Sequence, residues 1–213
     1  MRRSVAQSAQ LAAVASRDRA KAQHVAQAQG VPRAYGTYEE LVADPAIDAL
    51  YIPLPNHLHF EWCVRALEAD NHVLCEKPLT LSTAEVNAPC KVRDRTGQHI
   101  EEAFVYRNHP QWHKISELLR DEVIGQVHAV QETMALCSAM TRPTSATTRR
   151  KAAAPCTTWA PTSPVNQYTL QIERLSRWVR GEKVKSWPIE DAWRTMQTIE
   201  RYSSPPAAGN GRH

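Results

Sequence analysis

The chain has 213 residues, of which 42% are hydrophobic, and a formal net charge of +4 at pH 7. A chain of this length can bury one sizeable hydrophobic core or two small ones. So small a net charge, spread along the sequence, excludes the basic surface of a nucleic-acid-binding protein. Polar residues interrupt positions 4–10, which excludes an apolar signal core or a membrane span, so we expect a cytoplasmic protein.

The first half of the sequence alternates short apolar strands with helices. Asp18 is placed to cap the first helix, and Thr37 with Glu40, like Ser82 with Glu85, forms a capping-box pattern. The predicted order is a strand at 11–16, helices at 19–29 and 37–43, a strand from 48, a helix at 60–69 and a strand from 72. Such alternation predicts an α/β fold with a parallel sheet covered by helices.

Beyond the strand that starts at residue 72 the pattern continues for about sixty residues. We predict a strand at 99–107, an amphipathic helix around residues 112–119 and, after Gly125, a strand at 127–136. Residues 138–164 are instead crowded with Ser, Thr, Pro, Ala and Arg and show neither a helical nor a strand period. This segment therefore differs in kind from the rest.

Glu76-Lys77-Pro78 ends an apolar strand. Proline pushes the preceding residue into an extended conformation, so Lys77 should project beyond the carboxyl end of that strand. In an open α/β sheet ligands bind at this edge. A solvated turn is the alternative interpretation of the tripeptide.

Several segments together resemble the glucose-fructose oxidoreductase and inositol dehydrogenase family, called Gfo/Idh/MocA. The matching segments are residues 14–17, 35–41, 54–59, 72–78 and 102–111. The chain looks most like the branch of NADP-dependent dihydrodiol and xylose dehydrogenases. The resemblance implies hydride transfer between NADP and a sugar or cyclic diol, with a Rossmann-like first domain and an α+β substrate domain.

The resemblance also implies the domain boundaries. Residues 1–110 would form the dinucleotide-binding domain, 111–137 the start of the substrate domain, and 166–213 its C-terminal remnant. The family's Gly-x-Gly-x-x-Gly turn has no counterpart, because no glycine precedes Gly30, and residues 1–10 resemble the helix that follows that turn. We therefore expect an N-terminally truncated chain with an incomplete Rossmann-like parallel sheet and a remnant of the antiparallel second domain.

Residues 138–165 are interpreted as an out-of-frame segment. Read one nucleotide earlier, the codons for 143–161 can encode the family's Asp-Leu-Gly-Ala-Tyr active-site motif. Most of the sheet of the substrate domain is then missing. The family's homo-oligomer forms through this sheet, so the resemblance leaves it possible but doubtful for this chain.

The resemblance places the site residues at the strand ends. It implies two catalytic residues, Lys77 and His109, and cofactor contacts at Ser16, Arg17, Tyr38, Leu54, Asn56, His59, Glu76, Lys77 and Arg107. In the family the lysine ammonium hydrogen-bonds the substrate hydroxyl, which is sound chemistry because the oxygen beside a departing hydride develops charge that must be stabilised, and its proton must be accepted.

Each implied site has a plainer alternative. Arg17 stands where an NADP enzyme places an arginine against the 2′-phosphate, which favours NADP over NAD, but it also suits an exposed helix start. Asp18 is predicted to be a cap rather than a ribose ligand, and Asn56 could equally cap the following helix. His57 and His59 have no accompanying ligands, and the five cysteines include no Cys-x-x-Cys pair, so no metal site is predicted.

We expect weak or absent dehydrogenase activity from this chain, because both the pyrophosphate-binding turn and the motif that carries the family's acid/base tyrosine are missing. The alternative is a non-catalytic relic or a fragment that binds a partner.

Overall fold

The computed structural model describes residues 8–128 and 166–203. These residues fall into two compact units, one formed by residues 8–104 with 171–203 and the other by residues 105–170, of which 105–128 and 166–170 are described. Within the described ranges, no helix has both the length and the apolar character needed to cross a membrane.

Five short strands form two parallel sheets in the first unit. They are β1 (Ala13–Ala15), β2 (Arg33–Tyr35), β3 (Ala49–Ile52), β4 (His72–Cys75) and β5 (Ile100–Glu102). β1 pairs with β2 in one sheet, and the other sheet has the order β3-β4-β5. Helices connect the parallel neighbours, which confirms the predicted α/β fold.

Seven α-helices lie in the described ranges. They are α1 (Arg19–Gln29), α2 (Tyr38–Val42), α3 (Asn56–Glu68), α4 (Thr83–Thr96), α5 (Pro110–Arg120), α6 (Gln167–Val179) and α7 (Glu190–Ser203). A short 3-10 helix, Val105–Asn108, precedes α5.

Some predicted boundaries were wrong. β2 was missed, because three residues between Pro32 and Gly36 show no readable period. α3 begins at Asn56, four residues before the predicted start. The strand predicted at 99–107 ends at Glu102, because its partner β4 ends at Cys75 and offers no further pairing. Residues 125–128 are not a strand, and the rest of the strand predicted at 127–136, like the segment 138–165, lies outside the described residues.

The predicted helix caps are partly confirmed. The Asp18 carboxylate accepts hydrogen bonds from the backbone N–H groups of Ala20 and Lys21, at 2.9 and 3.2 Å. Gly30 ends α1 in the left-handed conformation, with φ 63°, where glycine carries no Cβ penalty. The Thr37 hydroxyl accepts from the Glu40 N–H as expected.

Ser82 is the N-cap residue of α4, as predicted, but its side chain makes no capping bond. The Glu200 carboxylate of α7 takes that place and accepts from the Thr83 N–H at 2.9 Å. At the other end of α4, Arg93 pairs with Glu190 at 2.9 Å. These two contacts hold α7 against α4 with the two helices antiparallel.

The two faces of the β3-β4-β5 sheet are packed by different helices. One face carries Leu50, Ile52, Val73, Cys75 and Ile100, and its buried cluster also takes in residues of α3, α4 and α7: Trp62, Cys63, Ala66, Leu67, Val86, Ala192 and Met196. On the other face Leu74 and Ala103 pack against Leu175 of α6. Covering both faces of a parallel sheet is what its buried strands require.

A buried ion pair joins α6 to β5. The Arg174 guanidinium contacts the Glu101 carboxylate, and their side chains are only 13% and 1% exposed. Close by, the Trp178 indole stacks on the His99 imidazole with the ring centroids 4.0 Å apart. Polar and aromatic contacts therefore hold α6 on this face together with the apolar ones.

Candidate functional site

The segment after β4 forms the centre of the candidate site. Cys75 is the last strand residue, and Lys77 lies two residues beyond it with an exposed side chain. Among the described residues its ammonium has no ion-pair partner, and the Lys77–Pro78 peptide bond is cis. As the sequence predicted, Lys77 lies beyond the carboxyl end of a parallel strand.

Glu76, beside that lysine, is held by a residue of the neighbouring strand. The Tyr51 hydroxyl donates a hydrogen bond of 2.6 Å to Glu76 Oε1. The register pairs Tyr51 with Leu74, and side chains two residues apart on a strand share a face, so Tyr51 and Glu76 lie on the same side of the sheet. Tyr51 was not predicted, although this alternation could have indicated it.

His59 of α3 is buried and both of its ring nitrogens are engaged. Nδ1 lies 2.6 Å from the Pro78 carbonyl oxygen, and Nε2 lies 2.6 Å from the Leu54 carbonyl oxygen. The imidazole is 1% exposed. His59 therefore links the loop after β3 to the loop after β4, and neither nitrogen is left for a ligand.

Glu102, the last residue of β5, reaches the same loop. Its Oε1 accepts a hydrogen bond of 3.0 Å from the Leu79 N–H. Beneath the loop, a hydrogen bond with Cys63 and burial raise the pKa of the Cys75 thiol, so no thiolate forms beside Lys77. The sequence analysis missed Glu102 as part of the site, because only the pairing of β4 with β5 brings it there.

The end of β1 presents a second cation. Arg17 is exposed and makes no ion pair with the described residues, whereas the adjacent Ser16 hydroxyl accepts a hydrogen bond from the Asp18 N–H at 3.2 Å. The Asp18 carboxylate is occupied by the cap of α1, as predicted. An anion that approaches the end of β1 therefore meets an unneutralised guanidinium.

Tyr38, Leu54 and Asn56 occupy three different environments. The Tyr38 ring meets Trp62 edge-on, with centroids 5.1 Å apart. Leu54 is partly buried against the core. Asn56 is exposed at the first turn of α3 and makes no side-chain capping bond, so the alternative interpretation of Asn56 as a cap is wrong. Its amide stands without a side-chain hydrogen bond to any described residue.

Arg107 and His109 belong to the second unit. Arg107 lies in the 3-10 helix and is partly buried. His109 caps α5, because its Nδ1 accepts a hydrogen bond from the Gln111 N–H at 3.2 Å. The capping role of His109 was not predicted.

The described part of the chain shows no cluster of metal-binding side chains. Residues 8–128 and 166–203 contain no group of three or more His, Cys, Asp or Glu side chains that could hold a metal ion. The three described cysteines, Cys63, Cys75 and Cys90, are free thiols.

Comparison with known proteins agrees with the parallel α/β fold seen in the first half of the chain. Residues 2–104 match the family model GFO_IDH_MocA, described as an oxidoreductase family with an NAD-binding Rossmann fold. That segment contains all the described strands and every predicted site residue except Arg107 and His109.

Two enzymes illustrate the similarity. D-xylose 1-dehydrogenase (NADP(+)) 2 of Haloferax volcanii is 49% identical over 119 residues, which is 56% of this chain and 36% of that protein. Trans-1,2-dihydrobenzene-1,2-diol dehydrogenase of Xenopus laevis is 37% identical over 122 residues, or 57% of this chain and 37% of that protein. The chain thus spans little more than a third of the length of these relatives.

A solved structure is similar over the same part. KijD10, a 3-ketoreductase from Actinomadura kijaniata crystallised with TDP-benzene and NADP, superposes with a TM-score of 0.52 at 35% identity. The match covers 55% of this chain and 37% of that one.

Proposed function

Because residues 2–104 match the model of the Gfo/Idh/MocA family of NAD-binding oxidoreductases, we propose that this chain binds NADP and derives from an enzyme that transfers hydride between NADP and a sugar or cyclic diol. Relatives named as an NADP-dependent xylose dehydrogenase and a dihydrodiol dehydrogenase support both the cofactor and the substrate class. The substrate is thus a small molecule with a hydroxyl group on the reacting carbon.

One observation carries the proposal: the ends of two parallel strands present cations without ion-pair partners among the described residues. Arg17 follows β1 and Lys77 follows β4. Parallel α/β sheets bind ligands at the carboxyl ends of their strands. NADP carries a 2′-phosphate at one end and the reacting ring at the other. We assign Arg17 to the phosphate end and Lys77 to the reacting end.

The end of β1 suits NADP better than NAD. An NAD enzyme places a carboxylate on the ribose hydroxyls at this point, but the Asp18 carboxylate is already engaged by two backbone N–H groups. Arg17 can instead form charge-assisted hydrogen bonds with a 2′-phosphate, and the Ser16 hydroxyl lies beside it. The residues present therefore fit the 2′-phosphate of NADP.

At the other end of the cofactor, Lys77 would act on the substrate. NADP would supply a hydride acceptor, and as the hydride leaves its carbon the substrate hydroxyl must pass its proton to a base, which in the family is the tyrosine of the Asp-Leu-Gly-Ala-Tyr motif. We assign Lys77 to hydrogen-bond that oxygen and Glu76, held by Tyr51, to position the cofactor. Tyr38, Leu54 and Asn56 are proposed cofactor contacts, as is Arg107, and His109 is a proposed substrate contact, on the family resemblance alone.

Turnover by the 213 residues is expected to be weak. They contain no glycine before Gly30 and hence no Gly-x-Gly-x-x-Gly turn whose N–H groups could hold the pyrophosphate. We expect the loss of those donors to lower NADP affinity relative to the dehydrogenases that the chain resembles.

A second candidate function, a non-catalytic binding fragment, is favoured by the sheet topology. Among the described strands, β1 pairs with β2 and β3 pairs with β4, but β1 and β3 do not pair with each other. Strand edges of this kind can pair with another polypeptide. A chain that binds NADPH yet reduces no NADP with D-xylose or a trans-diol would fit this function.

The proposed cofactor site can be tested without the pyrophosphate turn. Isothermal titration should show that adenosine 2′,5′-bisphosphate binds more tightly than AMP, by about tenfold for one strong phosphate contact. Arg17→Ala should abolish that preference, while Arg95→Ala, whose side chain is 65% exposed and pairs with Glu68, should retain it. Equal binding of the two nucleotides to the unmodified chain would exclude a 2′-phosphate site at the end of β1.

A further inference from the structure

The environment of His59 determines how many protons its ring carries. Both ring nitrogens lie 2.6 Å from backbone carbonyl oxygens, Nδ1 from Pro78 and Nε2 from Leu54. A carbonyl oxygen can only accept a hydrogen bond, and a neutral imidazole has a single N–H to donate. One of the two contacts would then bring a nitrogen lone pair against an oxygen lone pair.

Turning the ring over does not remove the conflict. A flipped imidazole would place carbon atoms 2.6 Å from the two oxygens, whereas C–H···O contacts have carbon–oxygen distances of about 3.3–3.6 Å. Two short contacts to two acceptors therefore require two N–H donors. Only the imidazolium form supplies both.

The contact at Pro78 is one half of a larger arrangement. The Pro78 carbonyl and the Leu79 N–H belong to a single peptide group. His59 donates to that carbonyl, and Glu102 accepts from that N–H at 3.0 Å. A side chain from α3 and a side chain from β5 thus hold opposite ends of the peptide group that begins one residue after Lys77.

We propose that His59 is held as an imidazolium and that His59 and Glu102 together form a clamp on the Pro78–Leu79 peptide that positions Lys77. The clamp makes both of them positioning residues, because neither is exposed to a ligand: His59 is 1% and Glu102 is 6% exposed. The assignment of a role to Lys77 rests on the proposed function, but the charge state of His59 does not.

A buried cation is costly unless hydrogen bonds replace its hydration. The two carbonyl contacts do so here, and charge-assisted hydrogen bonds are short, as these are. The elements that the clamp joins carry further titratable groups: His57, Glu61, Cys63, Arg65 and Glu68 on α3, His72 and Cys75 on β4 with Glu76 and Lys77 just beyond it, and Glu101 and Glu102 on β5. Among them the carboxyls of Glu76 and Glu102 can offset the charge, and the Lys77 ammonium, which opposes it, has an exposed side chain.

Histidine ring nitrogens report this state directly by NMR. The test is a two-bond ¹H–¹⁵N correlation spectrum of the cofactor-free 213-residue chain at pH 7.5, with His59 assigned from His59→Gln and the exposed His57→Gln as the matched control. We expect the two nitrogens of His59 to resonate close together, as in a protonated ring. Burial lowers the pKa values of His72 and His99, so these two should show the widely separated resonances of neutral rings in the same sample.

A neutral pattern for His59 would overturn the charge assignment. The positioning role is tested by attaching ¹³C-methyl groups to the lysines. Glu102→Leu, which removes the acceptor for the Leu79 N–H, should shift the Lys77 resonance and leave that of Lys21 unchanged, whereas Glu102→Gln, which keeps an acceptor oxygen, should restore it. An unshifted Lys77 resonance in a folded Glu102→Leu chain would refute the clamp.

These measurements need neither cofactor nor turnover. If the clamp is confirmed and NADPH does not bind, the proposed function fails alone. If NADPH binds and the His59 ring is neutral, the charge assignment fails alone, and if NADPH binds and the Lys77 resonance is unshifted in Glu102→Leu, the clamp fails alone.

Discussion

Tyr51 and Glu76, on neighbouring parallel strands, are joined by a hydrogen bond of 2.6 Å from the tyrosine hydroxyl to the carboxylate. The bond fixes the carboxylate next to Lys77, at the edge where we place the reacting end of the cofactor. Tyr51 itself is 50% exposed, so its ring contributes little to the core. The pair therefore organises the site more than it stabilises the fold.

Tyr51→Phe should weaken NADPH binding with little effect on stability. Removal of one hydrogen bond costs about 0.5–1.5 kcal/mol, which corresponds to roughly a 2- to 10-fold increase in the dissociation constant. Fluorescence titration and a urea unfolding curve measure the two effects separately. A large loss of stability with unchanged affinity would show that the bond is structural.

Arg174→Ala should destabilise the first unit strongly. It removes the guanidinium that pairs with the Glu101 carboxylate, whose side chain is 1% exposed, and breaking a buried pair costs about 3–5 kcal/mol. The control is Arg194→Ala, whose side chain is 81% exposed and which should change the unfolding free energy by less than about 0.5 kcal/mol. Equal urea midpoints for the two variants would contradict a buried pair between α6 and β5.

The fold should lose stability in mild acid because of His72 and His99. Burial lowers the pKa of both rings, and the neighbouring His99 charge adds to the effect at His72 while Asp48 opposes it. The unfolded chain therefore takes up protons near the ordinary histidine pKa of about 6.5, at a pH where the folded rings remain neutral. The contribution of these two rings to stability is full above that pH and falls as pH drops from about 6.5 toward the depressed folded pKa values.

His99→Phe tests this pH dependence. Phenylalanine can keep the stacking on Trp178, now 4.0 Å between centroids, but cannot bind a proton. The fall in the urea midpoint between pH 7.5 and 5.5 should become smaller in this variant. His24→Gln, an exposed position on α1, should leave the fall as it is in the unmodified chain.

Asp18→Ala separates capping from ribose binding. Loss of the two hydrogen bonds to the Ala20 and Lys21 N–H groups should cost about 1 kcal/mol of stability. NADPH affinity should not fall, since the aspartate is not a ligand and its negative charge lies next to Arg17. Asp18→Ser keeps a capping oxygen and should recover the stability. Weaker NADPH binding in both variants would make Asp18 a ribose ligand instead.

Local patterns predicted most of the first unit. Residues 19–29 form α1 as expected because its start, its apolar spacing and its terminal glycine are all encoded nearby. The extent of β5 was misjudged because Phe104, Val105 and Tyr106 favour strands, whereas a strand continues only where a neighbour offers backbone groups to pair with. β4 ends at Cys75, and so β5 ends at Glu102.

The sequence predicted the Glu76-Lys77 segment of the site but not the hydrogen bonds that join it to neighbouring strands. Glu76 and Lys77 could be identified from their own tripeptide. The contributions of Tyr51 and Glu102 depend on strand register and on contacts across 25 and 23 residues of sequence, which no local pattern encodes. For the same reason His59 was expected to touch the cofactor, and the structure shows its ring bound to two backbone carbonyls.

The most direct test of the central claim is a fluorescence titration of the purified chain with NADPH, repeated with Arg17→Ala and Arg95→Ala. We predict saturable binding to the unmodified chain, weakened at least about tenfold by Arg17→Ala and unchanged by Arg95→Ala. The absence of saturable binding, or the same affinity in all three chains, would contradict an NADP site at the end of β1.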